Sequence, residues 1–217
     1  SANVPAAASR NILTWKDNGS GGGTSFSYTN LSSAKKSALG STAVVDYLRG
    51  DRSKELSNGG TYRNRTSVIG DIANPGPVYL KNNDTIFVAA NDGMLHAFDA
   101  TSGVEQFAYI PGGVDFTKLA TLTSANYSHV YLNDGEIAIS DASQIGKNIL
   151  VGTLGRAGKT VYALDVTAPA SFGNNNVLWE YTDSDLGQTL SKPVIVKLNT
   201  GVWAVLIANG YNSGNEK

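Results

Sequence analysis

His96 and His129 are the only histidines in the chain, and both lie among acids and β-forming residues. In TIFVAANDGMLHAFDATSGVEQFAYIP, from Thr85 to Pro111, His96 falls between Asp92 and Asp99. Base–nucleophile or zinc chemistry would require the histidines to converge with carboxylates or a serine in a cleft. HAF and SHVY instead set each between strand formers, which predicts structural, hydrogen-bonded histidines. Asn91-Asp92-Gly93 and Asn133-Asp134-Gly135 could each lend an oxygen to a hard cation. Calcium takes about six to eight oxygen ligands, so both read as hairpin turns. Gly152 to Gly158, GTLGRAG, follows one strand and enters another, leaving no helix N-terminus to face a phosphate. Arg63 and Arg65, near Asp71, could hold an anion; the expectation is an ion pair that fixes the start of the sheet array. No GxSxG, HExxH or Walker sequence occurs, and no catalytic residue or metal-ligand set is assigned.

Composition narrows the classes further. The 217 residues carry 17 Lys+Arg against 18 Asp+Glu, a net charge of -1, which predicts neither a nucleic-acid partner nor an anionic membrane surface. Cysteine is absent, removing disulfides, thiol catalysis and cysteine-held metals. No apolar run approaches the roughly 18–20 residues of a membrane span. The 24 Gly, 10 Tyr and single Met suit turn-rich β structure. The opening SANVPAAAS, with no initiator Met or leader, and the ending GYNSGNEK, soon after VWAVLIANG, read as the bounds of an excised piece.

The same residues set the elements. RNILTW, Arg10 to Trp15, predicts a strand, and KDNGSGGGTSFSYTN a loop. SSAKKSAL and STAVVDYLRG predict two short helices, each opened by a Ser/Thr cap. Gly50 ends the second, and Val44, Val45 and Leu48 share its buried side. DRSKELSNGGTYRNRT reads as solvated. Residues 1–70 therefore form a leading region and 71–217 a run of strands. Val78 to Leu80, Thr85 to Ala90, Met94 to Asp99 and Gln106 to Ile110 are separated by KNND, NDG and TSG turns.

This rhythm returns sixty-odd positions on. Ile86-Phe87-Val88 answers to Ile149-Leu150-Val151, Leu95 to Asp99 answers to Val161 to Asp165, and Phe107-Ala108-Tyr109 answers to Trp179-Glu180-Tyr181. SKPVIVKL and GVWAVLIANG begin a third copy. The fold class is all-β: a partial β-propeller of about three to four blades, with a short helical segment near the N-terminus. An incomplete array must leave an apolar blade edge to meet further sequence, another copy or solvent.

YLRGDR, TYRNRTSVIGDIANPGP, NDGMLHAFDATSG, ILVGTLGRAGKTVYALDVTAP, DLGQTLSKPVIVKLNTGVWAV and ANGYNSG occur in that order from about Ala43 to Gly214. Together they resemble the PilC/PilY family of type IV pilus assembly and tip-adhesin proteins, on a quinoprotein-type repeat. Pro75 departs from the serine usual there. The resemblance implies a secreted, non-enzymatic protein at the pilus tip or outer-membrane surface. It further implies that the protein primes pilus assembly, opposes retraction and binds host surfaces. Pilins or minor pilins and a host-cell receptor are the implied partners. It also implies a calcium loop with alternating Asp residues. No D-x-D-x-D-G occurs here, so no cofactor is expected in this chain and any Ca2+ site would lie beyond Lys217. Arg49-Gly50-Asp51 spells the tripeptide that integrins recognise and is the candidate binding site. Its structural reading is preferred: Arg49 near the negative end of a helix, Gly50 ending it, and Asp51 capping the next segment. The contrasting expectation is a quinone-dependent dehydrogenase fragment, since the same repeat builds such enzymes.

Overall fold

The computed structural model describes residues 3–17 and 21–214. The predicted loop at residues 18–20 and the chain ends at 1–2 and 215–217 lie outside the described residues. Strands β3 (Val78–Leu80), β4 (Thr85–Ala89), β5 (Leu95–Asp99) and β6 (Glu105–Ile110) form an antiparallel meander, the first blade. Strands β7 (Ile137–Ile139), β8 (Ile149–Thr153), β9 (Val161–Asp165) and β10 (Val177–Tyr181) form the second. Strands β11 (Val194–Lys197) and β12 (Trp203–Leu206) make a third, two-stranded sheet. Three sheets on one plan are a partial propeller.

Register shows how closely the repeat holds. Ala97 pairs with Phe107 and Phe98 with Glu105, so Gln106 is an extra residue. Ala163 pairs with Trp179 and Leu164 with Val177, so Leu178 is extra at the same place. A bulge reproduced in both blades marks one structural unit used twice. The expected match of β5 to β9 and β6 to β10 holds, whereas that of β4 to β8 slips by one residue. Thr85 faces Asp99 and Ile149 faces Asp165, so Ile86 answers to Leu150 and Phe87 to Val151. The connection from Leu154 to Thr160 is longer than that from Ala90 to Met94, and similar apolar triplets hid the shift. Because strand faces alternate, a one-residue slip assigns each side chain to the wrong face.

In the corrected register, Leu95, Ala97 and Phe107 turn towards the second blade, where Tyr162, Leu164, Phe172 and Val177 meet them in one buried core. The Phe107 and Phe172 rings stack at 3.7 Å between centroids. Val161 and Ala163 point the other way, towards Ile195 and Val205 of the third sheet. Beyond them lies an open apolar groove of about 800 Å³, lined by Val151, Trp179, Tyr181 and Trp203 among others. The groove lies between the second blade and the third sheet. Asp99 and Asp165 hold the turns after β5 and β9 alike, through Ser102 and Thr167 respectively.

The leading region shares the first blade's core. Strand β1 (Ile12–Trp15) joins β6 in parallel, and β2 (Gly23–Ser25) pairs with β1 within the stretch predicted as loop. Helix α1 (Ser33–Leu39) is capped by Ser32, and α2 (Thr42–Arg49) by Ser41 and, in the left-handed region, by Gly50 at φ 113°. Val44, Val45 and Leu48 are buried as expected, against Met94, Ile110 and Leu119; Leu119 lies in a third helix, α3 (Phe116–Ala120). None of the described helices is long and apolar enough to cross a membrane.

Candidate functional site

The polar residues that invite chemistry collect along one side of the first blade and above the turn between β4 and β5. Arg10, Glu105, His96 and Asp92 form a buried chain. Arg10 donates through Nε and Nη2 to the two Glu105 oxygens at 2.6 and 2.7 Å. His96 Nδ1 meets Glu105 Oε1 at 2.7 Å, and Nε2 meets the Asp92 carboxylate at 3.1 and 3.2 Å. With a carboxylate at each ring nitrogen, both nitrogens donate, and the ring is an imidazolium. Burial alone would lower its pKa; the charge and hydrogen bond of Asp92, then Glu105, outweigh burial and raise it to about 9. Two cations and two anions balance, and no ring nitrogen is left to act as a base. Sequence reasoning placed His96 correctly in a strand. It missed Arg10 and Glu105, whose pairing spans most of the first hundred residues without a local signal.

The strap Ser67 to Pro77 crosses both blades and is pinned by carboxylates and amides. Gly70 N–H donates to Asp92 at 3.0 Å, and a Cβ at Gly70 would sit 2.2 Å from the Asp92 nitrogen, so only glycine fits there. Asn91 donates from its backbone and side chain to Asp71, both at 2.9 Å, and accepts from Leu132 N–H at 3.1 Å. Asn74 binds both oxygens of Asp134. Asn91-Asp92-Gly93 is the predicted turn. Asn133-Asp134-Gly135 is not a hairpin: it leads into β7, where Asp134 receives the strap. His129 lies in a loop, its Nε2 at 2.9 Å from Asp71 Oδ2. Burial would raise the Asp71 pKa; bonds from Asn91 and His129 more than offset that and lower it.

Arg65 pairs with Glu55 at 2.9 Å, not with Asp71, and stacks on Tyr47. Glu55 is 1% exposed, so the segment predicted as solvated carries a buried anion at its centre. Arg63 lies over the Tyr127 ring at 4.0 Å. Arg49 turns inward, donating to the carbonyls of Phe26, Ala7 and Arg10 at 2.9, 3.0 and 2.8 Å. Asp51 accepts from Ser53 N–H at 2.7 Å and from its hydroxyl at 3.1 Å. Arg49-Gly50-Asp51 thus closes a helix and ties it to the N-terminal arm. GTLGRAG runs from β8 to β9 through a single 3-10 turn at Gly155–Ala157. Among the described residues, no group of three or more histidines and acids could hold a metal ion.

A second buried polar contact joins the blades. Glu180, on β10, accepts from Tyr109 Oη at 2.6 Å and from Gly112 N–H at 2.8 Å. Burial raises the Glu180 pKa despite both bonds, and burial and Glu180 together push the Tyr109 hydroxyl well up.

These contacts tie loops, arm and blades together and define a propeller scaffold that presents ordered loops. Residues 76–217 match the PilY1 beta-propeller domain family, and the chain belongs to it. It is 40% identical over 225 residues to a type IV pilus biogenesis factor PilY1 homolog of Xylella fastidiosa, covering 85% of this chain and 18% of that protein. It is 38% identical over 208 residues to the type IV pilus biogenesis factor PilY1 of Pseudomonas aeruginosa, covering 80% of this chain and 17% of that protein. The chain thus spans less than a fifth of either relative. The crystal structure of the Pseudomonas aeruginosa PilY1 C-terminal domain matches with 35% identity and a TM-score of 0.43. That match covers 60% of this chain and 25% of that one.

Proposed function

We propose that this chain is part of the propeller region of a type IV pilus biogenesis factor, acting outside the cell at the pilus tip or outer-membrane surface. The observation that carries the reading is the family match over residues 76–217, which spans both complete blades and the third sheet. The full protein promotes pilus extension and attachment to surfaces or host cells, with pilins or minor pilins and a host receptor as partners. The propeller's part is to hold recognition loops on rigid sheets. It is not an enzyme, and calcium acts, if anywhere, in the longer protein.

The test is made in the cell of origin, with the full-length gene carrying Phe107→Ala to collapse the junction between blades. Surface pili and twitching should fall sharply while pilin levels stay constant. Normal piliation despite loss of the folded propeller would overturn the reading. Dye reduction by the purified protein after addition of quinone and calcium would favour the dehydrogenase alternative. Because Arg49 and Asp51 are engaged within the fold, Asp51→Glu should leave host-cell attachment unchanged. A selective loss of attachment would establish the tripeptide as a receptor site.

A further inference from the structure

Six arginines occur in the chain, and they divide sharply by what their guanidinium groups meet. Arg10 and Arg65 are spent on buried carboxylates, Arg49 on three carbonyls, and Arg52 on Glu55 and the Thr66 carbonyl. Arg63 and Arg156 differ. Arg63 donates only Nε, to the Leu122 carbonyl at 3.2 Å, and its two Nη groups have no acceptor among the described residues. Arg156 is exposed, and its guanidinium has neither ion pair nor hydrogen bond among the described residues. Each is nevertheless held by a tyrosine of one loop: Arg63 over Tyr127 at 4.0 Å, and Arg156 over Tyr131 at 5.7 Å.

That loop, SANYSHVY from Ser124 to Tyr131, is fixed from within. Tyr127 N–H donates to the Ser124 carbonyl at 3.1 Å, Asn126 N–H to the Ser124 hydroxyl at 3.2 Å, and Val130 N–H to the Tyr127 hydroxyl at 3.3 Å. Tyr127 and Val130 also pack on the core beneath α2 and α3. His129 meets the Tyr131 ring edge at 4.9 Å and is paired with Asp71. Tyr, Ser and Asn on an ordered loop with Arg beside it are the composition of protein-recognition surfaces, since the aromatic groups lose little entropy on contact.

We propose that Arg63, Tyr127, Tyr131 and Arg156 form a recognition surface for a protein segment that bears closely spaced carboxylates. A guanidinium held over a ring with its outer N–H groups unengaged presents a fork that suits a carboxylate. Arg63 and Arg156 are held on separate tyrosines, so a segment with two carboxylates engages both where a single small anion engages one. Nucleic acid is disfavoured because the chain has a net charge of -1, and phosphate tracking requires a broader basic stripe. The inference rests on these contacts and stands whether or not the pilus reading holds.

The test uses the whole chain and a fluorescent oligoglutamate peptide at low ionic strength, with oligoglutamine as control. The peptide should bind, and added salt should weaken it. Arg156→Gln should weaken binding about tenfold without moving the unfolding midpoint, since that side chain supports nothing beneath it. Arg63→Gln combined with Arg156→Gln should abolish it. Absence of binding above the control, or equal binding by the double variant, would overturn the inference. So would binding of oligothymidylate or heparin as tight as that of oligoglutamate, which would make the surface a general anion site.

Discussion

The first and second blades use the same positions in opposite ways. Tyr162 and Val177 of the second blade lie in the apolar core against the first. Their counterparts are His96 and Glu105, on the face of the first blade where the neighbour is the N-terminal arm. There Arg10 supplies the missing partner, and a buried ionic chain stands where the second blade has packed rings and methyls. Leu164 is wholly buried, while its counterpart Phe98 is half-buried beside His96. The backbone unit, including its bulge, is therefore separable from the chemistry of its face. A blade face takes the character of whatever element covers it.

The largest effect that could break this comparison is at the shared junction. Phe107→Ala, removing a ring stacked on Phe172, should cost about 3–5 kcal/mol in chemical denaturation. Trp203→Ala, facing the open groove, should cost less than about 1 kcal/mol and reduce binding of a hydrophobic dye. Equal costs would mean that the two inter-sheet contacts are not different in kind. Next is the ionic chain. Glu105→Gln strands Arg10 and the His96 imidazolium, at about 3 kcal/mol. Installing the second-blade residues together, His96→Tyr and Glu105→Val with Arg10→Met, should recover part of that loss. A triple variant no better than Glu105→Gln would show that the two faces are not interchangeable.

A smaller effect is expected from pH. The His96 pKa is raised from 6.5 to about 9 on folding, so its contribution is fully present below pH 6.5 and is lost as pH rises through about 9. The midpoint of thermal unfolding should fall across that window, and His96→Gln should flatten the fall. An unchanged slope in the variant would place the titration elsewhere.

Much of this architecture was legible in the sequence because strand and turn signals are local. The caps at Ser32, Ser41 and Gly50, the NDG turn after β4 and the Asp99–Asp165 correspondence each arise from a few neighbouring residues. The β4–β8 offset was not legible, since Ile-Phe-Val and Ile-Leu-Val look alike in either register and only cross-strand pairing decides. Strand β2 hid in a glycine-rich stretch because its stability comes from β1, not from its own side chains. The polar network was hidden for a related reason. Arg10 meets Glu105 only after the N-terminal arm joins the first blade. Asn74 with Asp134 and Tyr109 with Glu180 meet only after the blades stack, and acids and arginines read singly as solvated.

Hydrogen exchange at equivalent amides tests the stacking most directly. Ala97 and Ala163 occupy matching central-strand positions on either side of the closed junction. They should exchange together, only when the whole chain unfolds, while Val205 in the third sheet should exchange much sooner through local opening. Widely different protection at Ala97 and Ala163 would contradict two copies of one blade folded against each other.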